Sequence, residues 1–134
     1  MIQRRIVTFG LLVGLCVIAA FTAHVAGQGI GDVRVTASPQ HYTGPCPGHI
    51  RFTARIVVEH YPMALNYQWE RSDGAKGPVK VVKVPSAATK TITTVDTWQV
   101  GTRCERGEVW EKLRVRSGNA DITSDQATAT VTCR

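Results

Sequence analysis

The stretch Ile50-Arg51-Phe52-Thr53-Ala54-Arg55-Ile56-Val57-Val58-Glu59 decides the fold. Ile50, Phe52, Ala54, Ile56 and Val58 share one parity, while Arg51, Thr53, Arg55, Val57 and Glu59 share the other. Successive side chains of a strand point to opposite faces, so the segment predicts a strand with one face in a core and one mostly wet. A one-residue slip would reverse the faces, so burial of the apolar set also fixes the register.

The same reading extends in both directions. Strand-like runs recur at residues 32–38, 65–71, 79–84, 90–100, 108–116 and 126–133, separated by Gly, Pro, Asp and Asn clusters. Leu65, Tyr67 and Trp69 face inward on the third run, Leu113 and Val115 on the sixth, and Ala127, Ala129 and Val131 on the seventh. On the fifth, Asp96 shares the parity of Ile92, Trp98 and Val100, which predicts a bulge or an end-exposed position there. Segments 42–48 and 117–121 read as turns. Seven short strands with a Trp on the third predict an all-β, seven-stranded antiparallel immunoglobulin-like β-sandwich.

The N-terminus reads differently. Arg4 and Arg5 precede an uncharged apolar run from Ile6, and Val25-Ala26-Gly27 has small residues where signal peptidase needs them. Residues 1–27 therefore read as a signal peptide, with the single domain at 28–134 and a secreted location. Membrane contact arises only through this leader, if it is retained as an anchor. Without Arg4 and Arg5 the mature chain has 14 Lys+Arg against 10 Asp+Glu, a net +4. That charge is dispersed, with no basic stripe and interleaved aromatics, so nucleic acid is not an expected partner.

Export makes paired cysteines disulfides, and the mature chain has three: Cys46, Cys104 and Cys133. By parity and topology, Cys46 and Cys133 approach one end of the core, but the loop holding Cys104 sits at that end too. Connectivity is open on these grounds. A spare Cys104, flanked by Arg103 and Arg106, is either a free or capped thiol in a monomer or an intermolecular tether in a dimer.

Several segments together resemble a bacterial extracellular Ig-like domain family of unknown function. They are Tyr42-Thr43-Gly44-Pro45-Cys46-Pro47, Tyr67-Gln68-Trp69-Glu70-Arg71-Ser72-Asp73-Gly74-Ala75, Trp110-Glu111-Lys112-Leu113-Arg114-Val115 and Ala127-Thr128-Ala129-Thr130-Val131-Thr132-Cys133. The resemblance implies the sandwich and a Cys46–Cys133 pairing. It brings no reaction, and Cys104 departs from its pattern.

Candidate chemistry is sparse. His41, Cys46 and His49 lie close in sequence, but oxidation of Cys46 would remove a metal ligand, so no metal site is expected. No serine sits in a Gly-x-Ser-x-Gly elbow. Glu105, Glu108 and Glu111 gather around one loop, where carboxylates are expected to be solvated and to have ordinary acidity. No enzyme activity and no cofactor are expected. Trp110 has the parity of Lys112 and Arg114, opposite Leu113 and Val115, which marks those three as a candidate binding face. Tyr61 opens a second candidate surface, a loop between strands. The expected function is a secreted, non-catalytic module for an extracellular protein, glycan or cell-envelope partner. The alternative is a small inhibitor that blocks an enzyme through a loop end.

Overall fold

The deciding stretch forms β3 (Gly48–Val58), and its apolar parity is enclosed: Ile50, Phe52, Ala54 and Ile56 have no exposed surface. Each large apolar side chain buried this way contributes about 1.5–3 kcal/mol, and the same register keeps the Arg side chains of the other parity in water. The computed structural model describes residues 29–61, 63–86, 90–102 and 107–134. The leader at 1–27 and Cys104 lie outside the described residues.

The other strands are β1 (Ile30–Ser38), β2 (His41–Gly44), β4 (Met63–Arg71), β5 (Lys80–Val84), β6 (Thr91–Val100), β7 (Gly107–Ser117), β8 (Ala120–Thr123) and β9 (Ala127–Cys133). They form two sheets. The smaller has the order β1-β3-β6; the larger runs β2-β9-β7-β4-β5, with β8 also on β7. The inner faces meet over one core that includes Phe52, Trp69, Trp98, Leu113 and Val131. Phe52 and Trp98 pack with tilted rings, 6.5 Å between centroids. Tyr67 reaches across from the larger sheet, and its hydroxyl accepts from Thr94 Oγ1 at 3.0 Å, so both buried hydroxyls are satisfied. The fold is an all-β sandwich of two packed sheets.

The described residues hold nine strands rather than seven, and not every pair is antiparallel. β2 runs parallel to β9, pairing His41 with Thr130 and Gly44 with Cys133. The four residues His41-Tyr42-Thr43-Gly44 are too few to show an alternation that would reveal this. Their extension follows from the chain changing sheets after Ser38, which brings Gln40 O to Thr130 N–H at 2.9 Å. β8 arises from the turn segment: after Gly118 the chain folds straight back along β7. Between β8 and β9 both strands lie on β7, and Ser124 spans the join. Its N–H donates to Leu113 O at 2.9 Å, and its Oγ accepts from Leu113 N–H at 3.0 Å.

Cys46 and Cys133 are joined in a disulfide, with Cα atoms 5.4 Å apart. The bond ties the entry to β3 to the end of β9 at one end of the sandwich. Gly101 lies against it with φ of +85°, and a Cβ there would stand 2.5 Å from Cys46 Sγ. Only glycine fits that backbone at that distance.

Candidate interaction face

β7 is an interior strand of the larger sheet, so its outward parity sits mid-face. That parity carries Trp110, Lys112, Arg114 and Arg116 in one row. Lys112 lies opposite Glu70, Arg114 opposite Gln68, and Arg116 opposite Asn66 on β4. On the other side Trp110 faces Thr128, and Arg116 faces Asp121.

Trp110 is half-buried, and Lys112 Nζ sits 5.5 Å from its ring centroid, a cation–π contact. The backbone beneath is pinned: Trp110 N–H donates to Ser72 Oγ at 3.1 Å, and Ser72 N–H donates back to Trp110 O at 2.9 Å. Lys112 and Lys76 both approach Glu70, at 3.5 and 3.8 Å. Arg114 grips Asp121 with a fork, Nε to Oδ1 at 2.9 Å and a terminal nitrogen to Oδ2 at 2.5 Å. The hydrogen bonds from Arg114, more than its charge at a distance, hold the Asp121 carboxyl below its usual range. Next to this row Val79 and Val81 are 59% and 70% exposed. Asn66, Gln68, Val79, Arg114 and Arg116 border a shallow hollow on the same face.

The structure therefore brings Trp110, Lys112, Arg114 and Arg116 together, as their shared parity predicts, and adds Gln68 and Val81, which sequence reading did not include. The register between β4, β5 and β7 makes the face, and no local pattern encodes it. Tyr61 is elsewhere. It follows the end of β3, near the far end of β7 from Trp110, and its hydroxyl donates to Val58 O at 2.6 Å. Its side chain packs on the core.

One site contradicts the sequence reading. Glu111 is not a solvated turn carboxylate; it is fully buried on the inner face of β7. Asp96 makes no bulge either: it keeps regular register opposite Phe52 and points between the sheets. Both carboxylates converge on Arg71, whose Nε donates to Glu111 Oε1 and whose terminal nitrogen donates to Asp96 Oδ2, each at 2.9 Å. The guanidinium also stacks over Trp98, 5.1 Å from the centroid. Burial, reinforced by the nearby Asp96 charge and opposed by Arg71, pushes the Glu111 carboxyl up to about 7. Its Oε2 has no hydrogen-bond partner among the described residues. The parity of Leu113 and Val115 carried the signal for Glu111, since it shares their face.

His41 Nδ1 is hydrogen-bonded to Thr130 Oγ1 at 2.7 Å, and Cys46 is oxidised, so these two residues are committed to structural contacts.

The chain matches no protein-family profile and no curated protein. Solved structures do resemble it. The CARDB domain of a Pyrococcus furiosus protein, solved with di-metal ions, superposes with a TM-score of 0.55 at 9% identity, over 80% of this chain and 97% of that one. The C-terminal domain of Wzt gives 0.43 at 16% identity, over 81% of this chain and 77% of that one. The Bacillus subtilis sporulation control protein Spo0M gives 0.43 at 14% identity, over 78% of this chain and 51% of that one. The CARDB likeness shows the fold alone: two packed β-sheets in a sandwich of immunoglobulin-like build.

Proposed function

We propose that this chain is exported, loses residues 1–27, and acts as a non-catalytic immunoglobulin-like module that binds a protein outside the cell. The outer face of the larger sheet is the contact surface. The observation that carries this reading is Trp110: a large aromatic left half-exposed mid-sheet, in line with Lys112, Arg114 and Arg116 and beside exposed Val79 and Val81. Trp and Arg are the residues most enriched where binding energy concentrates. Ion pairs hold the long side chains of Lys112 and Arg114 in place, which lowers the ordering cost of binding.

A catalytic reading has less support. The acid with perturbed acidity, Glu111, has no exposed surface and cannot meet a substrate where it stands. The inhibitor reading also has less support, because Tyr61 is bonded back to β3 instead of projecting from its loop. The disulfide is in keeping with an oxidising compartment.

Trp110→Ala tests the face. With the mature chain mixed into the extracellular proteins of its own cells, the wild type should form a saturable complex on gel filtration. The variant should bind at least about tenfold more weakly, as truncating a central aromatic anchor does. Its melting temperature should fall little, since an exposed cation–π contact is worth only about 0.5–1 kcal/mol. Equal binding by both proteins, or no complex with the wild type, would remove this face from the account.

A further inference from the structure

We propose that the outer face of the smaller sheet is a second binding surface, and that it takes an acidic polysaccharide. β3 is the middle strand of that sheet, and its outward parity places Arg51 and Arg55 at the centre of the face. Arg51 lies between Ser38 and Thr97, Thr53 between Thr36 and Val95, and Arg55 between Arg34 and Thr93. Charged and hydroxyl side chains thus alternate along β3, with hydroxyls beside them on β1 and β6 except at Val95 and Arg34.

The charges are not balanced. Arg34 is paired with Asp32 at 2.7 Å. Neither Arg51 nor Arg55 has a carboxylate partner among the described residues, whereas Arg114 on the opposite sheet is gripped by Asp121. Arg55 also stands directly across from Arg34, and like charges in that position destabilise a sheet. Asp32 offsets the charge of Arg34, but Arg55 is left without a carboxylate among the described residues, and an anion bound there would supply one. Asp32, Arg34, Arg55 and Val57 border a shallow depression of about 140 Å³ at this point.

Spacing and composition narrow the ligand. Arg51 and Arg55 are four residues apart on a strand, roughly 13 Å. That distance suits anionic groups repeating along a polymer better than one small anion. The flanking Thr36, Thr53, Thr93 and Thr97 offer hydroxyls of the kind that exchange hydrogen bonds with sugars. The outward positions of β1, β3 and β6 carry no Phe, Tyr or Trp, and the imidazole of His49 lies at the start of β3, away from Arg55, so bases would find little to stack on. The surface therefore favours a carboxylated or sulfated glycan over nucleic acid. It lies on the sheet opposite Trp110, so it can fail without affecting the protein-binding reading.

Polygalacturonate and heparin, with neutral dextran and duplex DNA alongside, test this by affinity electrophoresis of the mature chain. Retardation is expected in at least one acidic polysaccharide, weakening as salt screens the charges, with none in dextran. Retardation by polygalacturonate alone would mark carboxylate recognition, and by heparin alone sulfate recognition. Arg51→Gln/Arg55→Gln should lower the affinity at least about tenfold through loss of two charge-assisted contacts. Its melting temperature should be unchanged or raised, because Arg34 loses a like-charged neighbour. Lys80→Gln/Lys83→Gln, an equal charge change on the other sheet, should lose little affinity. No retardation by either acidic polysaccharide would overturn the proposal. So would equal losses in the two double variants, or duplex DNA bound as tightly as the polysaccharides.

Discussion

Replacing Cys46 and Cys133 together by alanine is expected to lower the unfolding free energy by about 4–5 kcal/mol. The two cysteines are 87 residues apart, so the cross-link spans nearly the whole sandwich. Chain-entropy arguments scale the gain with the logarithm of the closed loop, and at this length most of it is already reached. A domain of this size has only about 5–15 kcal/mol in total. The melting temperature should fall by roughly 15–30 °C, since each kcal/mol shifts a domain near 100 residues by several degrees. Urea titrations of the oxidised wild type and the double variant measure this. A loss under about 1 kcal/mol would mean that the packed sheets, and not the bond, keep the ends together.

The second large effect is expected at the inter-sheet ion cluster. Glu111 has its acidity pushed up to about 7, against 4.5 as a free side chain. The folded chain therefore holds a proton that the unfolded chain releases between those values. The stabilisation from this proton is fully present below about pH 4.5 and is lost as pH rises through about 7. Over that window the wild type should lose roughly 3 kcal/mol. Glu111→Gln removes the titration and should flatten this part of the profile. Arg71→Ala works in the opposite sense. It deprives Glu111 and Asp96 of their shared guanidinium and removes the contact with Trp98. Leaving a buried carboxylate without its partner costs about 3 kcal/mol at pH 8. Near pH 5, where Glu111 is neutral, the cost should be roughly half, because only Asp96 is left unpaired. Denaturant midpoints from pH 4.5 to 8 for the three proteins give the answer. A wild-type profile that matches Glu111→Gln throughout would mean that Glu111 is ionised in the folded chain at all these values.

These two effects differ in how visible they were beforehand. Alternation in β3 is local, so its faces could be read from ten consecutive residues, and Ile50 to Ile56 are enclosed as that reading requires. The same logic put Trp110, Lys112 and Arg114 on one face, where they are. Cys46 and Cys133 were legible only through parity plus an assumed topology, with Cys104 as a rival, until resemblance favoured one pairing. The Arg71–Asp96–Glu111 cluster was not legible. Its members come from three strands in two sheets, and each looks polar where the local pattern asks for an apolar residue. Local alternation therefore predicts a bulge or an end-exposed position at Asp96 and a solvated acid at Glu111. Each is tolerable inward only because of Arg71, which is the cross-strand partner of Glu111 on β4 and reaches Asp96 across the sandwich, and neither pairing leaves a trace in local periodicity. β2 and β8 escaped notice for a related reason. Four-residue strands are too short to show a period, and β2 exists because β9 offers it an edge.

Export, cleavage and the disulfide stand together as the centre of the account, and one spectrum tests them: the non-reduced intact and fragment masses of the protein recovered from its own medium. The predicted result is a monomer beginning at Gln28, with the fragments holding Cys46 and Cys133 joined and Cys104 outside that bond. A chain that keeps residues 1–27, or one whose Cys46 and Cys133 are free or joined through Cys104, would contradict it.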